Sequence, residues 1–270
     1  MKKNLYLSVS VLFASVISLA GCGADPAKTI TVAASEDPHA VVLNSDAVQN
    51  YVKDKGYSLN VKVIDWTIQN DGVANGDYDA NYFQHRPYLL EFNSDYSKVK
   101  PLATVHFEPL RLYKGKASVA YTDPNATFEI CADVSNEIRA LDLLKNAGII
   151  EDYELDDDGN PINLPSRIKP IDENLLVSSL QDYDYAVLPA NTALTGKLSA
   201  DLTLPVEADD VADLRANVLA VNTVKYDTDT AYKDKIDVLV DALLQESVAT
   251  FINTRYNNVI KPIQQDLRSK

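Results

Sequence analysis

The sequence predicts an α/β fold with parallel strands, and two observations lead there. Thr29 to Ala34 (TITVAA) and Leu59 to Ile64 have the β-branched, alternating character of strands and flank a helical pattern. A β-α-β unit of that kind implies parallel strands and a right-handed crossover. The second observation is size: 270 residues is enough for two domains of ordinary dimensions after an N-terminal leader is removed.

The leader is residues 1–21. Lys2 and Lys3 make a basic start, Leu5 to Leu19 is an apolar run, and Leu19-Ala20-Gly21-Cys22 closes it. The run is too short to span a bilayer and ends in small residues, as a signal peptide does. LAGC is the lipobox pattern, so Cys22 is expected to be acylated and to become the mature N-terminus. The chain would then be anchored rather than spanning, on the extracytoplasmic side of the cell membrane, with residues 22–28 as a tether. Removing 1–21 takes away two lysines and no acid, so the net charge of −14 becomes −16 over 249 residues. That acidity excludes nucleic acid and a polybasic membrane contact as partners. With Cys22 lipidated, Cys131 has no disulfide partner in the chain and reads as a small buried hydrophobe.

After the first strand, Val41, Val42, Val48 and Val52 predict a helix, with Ser35 or Asp37 as cap and Pro38 in the first turn. His39 there reads as structural. Lys55-Gly56-Tyr57 ends that helix. Asp65-Trp66 closes the second strand, and ligands of open parallel sheets sit beyond such carboxyl ends. The run Asn75 to Leu89 (NGDYDANYFQHRPYL) gathers four aromatic rings, an imidazole and two carboxylates. It is too polar for a plain core strand and too aromatic for a plain loop. Composition leaves two readings open: a pocket wall, or a surface turn followed by a short core helix.

Val99 to Val105 predicts a strand that continues extended through Tyr113; Arg111 within it reads as a solvated charge in preference to a second anion contact. Ile130 to Leu141 predicts a strand, a loop and a helix that Gly148 stops. Asp156 to Asn160 invites a calcium loop, but Pro165 stands where a bidentate Glu is required, so a solvated turn is expected. Strands follow at Ile168 to Ile171, Tyr185 to Leu188 and Arg215 to Asn222, with a short helix at Leu175 to Leu180. Apolar spacing from Ile236 to Ile252 predicts one long last helix over Asp229 to Tyr256.

Motifs for other chemistries are missing. No glycine-rich phosphate loop, zinc-type spacing of His39, His85 and His106, or GxSxG elbow occurs. The residues offer nothing from which to build an enzyme, and no cofactor or metal is expected.

The run NGDYDANYFQHRPYL resembles the signature of the methionine-binding lipoproteins of ABC importers, the NlpA-type family, which carry a close variant of NGDIDANFFQHxPYL. Ala34 to Ala40 resembles the family's Ala-Thr/Ser-Pro-x-Pro-His-Ala. His106 to Tyr113 resembles THxEPMGLYS with Arg111 in place of glycine. Ile130 to Leu141 resembles IPNDPTNxGRAL, matching at Ile130, Asp133, Asn136, Arg139, Ala140 and Leu141 but with Ile138 for glycine. YAVLPANTAL resembles LAVINxNYA, with Pro189 for asparagine while Asn191 keeps the second. The likeness runs from Thr29 to Pro262.

This resemblance implies a two-lobed type II periplasmic-binding-protein fold with two crossover hinge strands. One lobe would hold 29–111 plus 218–270, the other 112–217, with the ligand in the cleft and closure about the hinge. It also implies a ligand set. Arg139 would clamp a carboxylate at a helix N-terminus. Asn136 and Asn217 would accept from an ammonium. Trp66, where the family usually has tyrosine, would join Phe83, His85 and Tyr88 as walls for a thioether. The implied function is capture of methionine and delivery to a membrane permease and its ATPase by a monomeric protein. The departures at Trp66, Ile138 and Pro189 leave a methionine-containing dipeptide or another apolar amino acid open, and an enzyme or a surface adhesin on the same scaffold as competing classes.

Overall fold

A computed structural model describes residues 25–257 and 259–269. Residues 1–21, expected to be a signal peptide, and Cys22 lie outside these residues. Twelve strands are described, at Thr29–Ala34 (β1), Ser58–Val63 (β2), Ala80–His85 (β3), Val99–Phe107 (β4), Arg111–Lys114 (β5), Phe128–Cys131 (β6), Glu154–Leu155 (β7), Pro161–Ile162 (β8), Ile168–Ile171 (β9), Tyr185–Leu188 (β10), Ala216–Asn222 (β11) and Lys261–Asp266 (β12).

Two sheets organise the chain. One has the order β12-β4-β11-β3-β1-β2 and the other β5-β10-β6-β9. The β-α-β expectation holds: β1 pairs parallel with β2 in register from Thr29↔Ser58 to Ala34↔Val63, and parallel with β3. The first sheet is nevertheless mixed, because β11 returns from the second lobe antiparallel to both β3 and β4. The passage from β4 to β5 and the return into β11 are the two crossovers. Across the larger sheet, Val42, Val48, Leu219, Ile236, Leu239, Val240, Val248 and Ile252 form one buried core. Each such side chain contributes roughly 1.5–3 kcal/mol when taken out of water. The smaller lobe is built on Leu112, Phe128, Ile130, Leu141, Leu144 and Val187.

Four expectations need correction. First, Ala80–His85 is a strand, and every one of its residues is buried. Its polarity is tolerable because it is satisfied internally. Asn81 Nδ2 donates to Asn70 Oδ1 at 2.8 Å, Asn70 Nδ2 to Gln84 Oε1 at 2.8 Å, and Gln84 Nε2 back to Asn70 Oδ1 at 2.6 Å. A fully paired amide cluster removes the usual cost of burying such groups. Second, the helix expected after β1 is broken. Asp37 is extended (φ −128°, ψ 127°), Ser35 makes no side-chain cap, and a short turn Val41–Leu43 precedes the real helix Asp46–Asp54. Third, the last helix divides into Thr230–Leu243 and Glu246–Tyr256. Gln264 Nε2, on β12, donates to the carbonyls of Leu243 and Gln245 at the break, taking the place of intrahelical donors. Arg111 also departs from its reading: it is buried, not solvated. The acidic run is the expected turn, joining β7 to β8, with Asp156 Oδ1 accepting from the backbone of Asp158 and Asn160.

Among the described residues no helix is long and apolar enough to cross a membrane.

Candidate functional site

A cavity of about 460 Å³, its open mouth included, lies between the lobes. Trp66, Phe83, His85, Tyr88, Asn136, Arg139 and Asn217 all line it, together with Glu108, Glu173, Pro189 and Asn191. His39 does not; it is buried beneath, against Tyr82 and His106.

The aromatic wall is built mainly by β3 and the helix Arg86–Phe92 that it runs into. Phe83, Gln84 and His85 all line the cavity, where β3 bulges against β11 between Tyr82 and Gln84. His85 then caps that helix: its Nδ1 accepts from the Tyr88 backbone N–H at 3.2 Å, with Pro87 in the first turn. The cap brings the Tyr88 ring edge-on to Phe83, His85 and Trp66, at centroid separations of 5.9, 6.5 and 5.5 Å. Trp66 is held by Asp65, whose Oδ1 accepts from Thr67 N at 2.9 Å at the start of a 3-10 turn. Its indole N–H reaches Asn174 Oδ1 on the other lobe at 3.3 Å.

The polar wall rises from the helix Val134–Asn146. Asp133 caps it by accepting from Asn136 N at 3.0 Å, and its second oxygen holds Asn136 Nδ2 at 3.0 Å. This fixes the amide so that Asn136 Oδ1 faces the cavity side. There it accepts from Arg139 Nη1 at 2.8 Å, with His85 Nε2 3.1 Å away on the opposite lobe. Since Nδ1 of His85 is the acceptor for Tyr88, Nε2 carries the proton and donates. Burial, and then the nearby Arg139 charge, lower the His85 pKa to about 3, so the ring is neutral.

Arg139 is buried, and four of its five N–H donors are engaged. Nε and Nη2 grip Glu207 at 3.0 and 2.6 Å, Nη2 also donates to the Glu108 carbonyl at 3.0 Å, and Nη1 serves Asn136. One Nη1 N–H has no partner among the described residues. The carboxylates nearest to it in sequence, Asp133 and Glu137, are not its partners.

Glu108 sits between the strands of the first crossover and joins the lobes. Its Oε1 accepts from His106 Nε2 at 2.7 Å and Asn217 Nδ2 at 2.8 Å, and its Oε2 accepts from the Asn191 backbone at 2.9 Å. His39 Nε2 is 3.1 Å from the same Oε1 but off a hydrogen-bonding line. Burial opposes the charge on Glu108; the His39 charge and the His106 bond outweigh it and hold the carboxyl below its ordinary range. By taking Asn217 Nδ2, Glu108 turns the Asn217 carbonyl away from itself. Burial pushes Glu173 up to about 7, although Thr192 hydrogen-bonds it.

A family model described as NlpA lipoprotein matches residues 30–264. The chain belongs to the NlpA lipoprotein family. A curated relative, the methionine-binding lipoprotein MetQ of Bacillus subtilis (strain 168), is 32% identical over 98% of this chain and 100% of its own. Among solved structures, the substrate-binding protein of a methionine transporter from Streptococcus pneumoniae is 26% identical, with a TM-score of 0.73 over 87% of this chain and 96% of that one. Lipoprotein Tp32 from Treponema pallidum is 27% identical, with a TM-score of 0.73 over 87% of this chain and 99% of its own. The two-lobed architecture is thus that of the NlpA lipoproteins.

Sequence reasoning missed Glu207, Glu173 and the part played by Glu108. With 39 acids in the chain, no local signal marks any one of them. The meeting of His39 and His106 at Glu108 was equally hidden, because 66 residues lie between the two histidines.

Proposed function

We propose that this chain is the lipid-anchored, extracytoplasmic substrate-binding component of an ABC importer, acting as a monomer, and that it binds methionine in the interlobe cavity. The observation that carries this reading is the pairing, in one cavity between the lobes, of an aromatic wall with one guanidinium N–H that has no partner among the described residues and one amide carbonyl turned from Glu108. The Arg139 Nη1 donor takes the ligand carboxylate. Asn217 Oδ1 takes the ammonium; Asn136 Oδ1 is already committed and serves to orient Arg139 and His85. Trp66, Phe83 and Tyr88 flank the thioether, a soft group that favours ring edges.

The names of the relatives support methionine as the ligand and a transporter as the partner. Lobes of 29–111 with 218–270 and of 112–217 would open and close about the crossovers. Binding without turnover is supported by the unreactive state of two groups. His85 is neutral with both ring nitrogens engaged. Burial raises the Cys131 thiol pKa well above its usual value.

Mass spectrometry of small molecules released on denaturing the purified protein tests the ligand. Stoichiometric methionine is expected. A different compound at stoichiometric amounts would replace methionine in this account.

A further inference from the structure

His39, His106 and Glu108 converge beneath the cavity from three places in the chain: the turn after β1, the end of β4, and the first crossover. All three are buried, the two histidines completely. One possible metal-ligating atom of each lies within 4.8 Å of the others. Glu108 Oε1 is the common point, 2.7 Å from His106 Nε2 and 3.1 Å from His39 Nε2. Hydrogen bonds do not account for His39. Neither of its ring nitrogens has a hydrogen-bond partner among the described residues, although the ring is wholly buried. A buried polar group left in that condition is costly and calls for an explanation. Its ring neighbours, Tyr82 edge-on at 4.8 Å and His106 at 5.1 Å between centroids, do not supply one.

The donor set has a chemistry of its own. Two imidazoles and a carboxylate suit zinc and its first-row neighbours, whereas calcium and magnesium take oxygen ligands. Tetrahedral ligands about 2.0–2.1 Å from zinc stand about 3.3 Å apart. The two separations at Glu108 therefore need to widen by only about 0.2–0.6 Å. Outer partners that would orient such ligands are also in place. The Tyr82 hydroxyl meets His106 Nδ1, Asn217 Nδ2 donates to Glu108 Oε1 at 2.8 Å, and the Asn191 backbone donates to Oε2 at 2.9 Å. Glu108 and Asn217 line the cavity as well, which gives an ion a way in.

We propose that His39, His106 and Glu108 form a binding site for one divalent transition-metal ion of the zinc type, beneath the ligand cavity. The ion takes His39 Nε2, His106 Nε2 and Glu108 Oε1 as ligands and keeps its fourth position for water. His39 thereby gains the partner that no hydrogen bond gives it. The His106 proton moves from Nε2 to Nδ1, where the Tyr82 oxygen accepts it. Glu108 Oε2 stays with the Asn191 N–H, so the contact with the second lobe is kept. The ion ties the turn after β1 to the first crossover.

The test is calorimetric titration with zinc of tag-free protein, treated with chelator and freed of small ligands by unfolding and refolding. Wild type is expected to bind one equivalent, and His39→Ala to bind at least about tenfold more weakly. Cys131→Ser is expected to bind as wild type does. That variant separates this site from the other group of possible ligands among the described residues, Cys131, Asp133 and Glu173. Cobalt in place of zinc should give the visible bands of a tetrahedral ion without a sulfur-to-cobalt band. The chain has three histidines, and one equivalent of zinc should alter the ring-nitrogen resonances of two of them in wild type. This last readout holds even if the His39 variant does not fold. Wild type that binds no stoichiometric zinc would overturn the proposal, as would a folded His39→Ala that binds zinc as tightly as wild type. So would a sulfur-to-cobalt band, or zinc that binds while fewer than two histidines respond.

Discussion

Arg139 and Glu207 meet fork to fork from positions 68 residues apart, with Nε–Oε1 at 3.0 Å and Nη2–Oε2 at 2.6 Å. Their side chains are 3% and 10% exposed. Glu207 is tied in turn to the first crossover: its Oε2 accepts from Leu110 N at 3.0 Å, and its own N–H reaches the Leu110 carbonyl at 2.8 Å. The pair thus connects the cavity-lining guanidinium of Arg139 to the first crossover. Removing one partner of a buried pair typically costs about 3–5 kcal/mol, because the other charge stays buried. Glu207→Ala is expected to lose about that much in urea denaturation, and the Arg139→Ala/Glu207→Ala double variant much less than the two single losses added. A loss below about 1 kcal/mol, the worth of an exposed pair, would contradict the geometry.

How much of this could be read from the residues depended on whether the signal was local. β1 and β10 announce themselves through β-branched and apolar runs. The helix stop at Gly148 also shows, and the structure gives it a φ of 69°. β3 did not read as a core strand, because Asn81 and Gln84 look wrong for one until Asn70 is seen beside them. The break in the last helix is imposed by Gln264 from a distant strand, and apolar periodicity runs straight through it. In the site, the ring-rich stretch stood out locally, but composition left it open between a pocket wall and a surface turn with a short core helix. Asn136 and Arg139 were marked only by the family resemblance of Ile130 to Leu141. Glu207 was not marked at all, since its role exists only once the fold brings it to Arg139.

His85 gives a pH dependence of definite sign. An unfolded histidine takes up a proton near pH 6.5, whereas folded His85 resists until about pH 3. Between those values the unfolded chain holds the extra proton, so this group lowers stability as pH falls, by up to about 1.4 kcal/mol per pH unit. Above pH 6.5 it adds no slope. The His85 Cε1–H resonance is expected to stay constant from pH 8 to pH 5 in NMR; a midpoint near pH 6.5 would show the ring to be solvated instead.

Trp66 is the single tryptophan and touches both lobes, through Tyr88 and through Asn174. Adding methionine to ligand-free protein should give a saturable change in its emission, and Trp66→Phe should abolish that change. Binding seen by calorimetry with constant tryptophan emission would remove Trp66 from the wall.

The anchor rests on Cys22. Cys22→Ala is expected to abolish metabolic palmitate labelling and to leave the leader uncleaved. Equal labelling of wild type and variant would refute lipidation at this residue.

Everything proposed for the interlobe cavity depends on Arg139 holding a ligand carboxylate there. Charge-assisted hydrogen bonds of this kind are the strong ones, and losing a buried partner costs on the order of 2–5 kcal/mol. The direct measurement is calorimetric titration of ligand-free wild type, Arg139→Ala and Arg139→Ala/Glu207→Ala with methionine, the double variant keeping the site free of an unpaired buried carboxylate. Wild type is expected to bind one equivalent, and both variants to bind at least about thirtyfold more weakly, roughly 2 kcal/mol. Wild type that binds no methionine, or a folded double variant that binds within about threefold of wild type, would contradict the account.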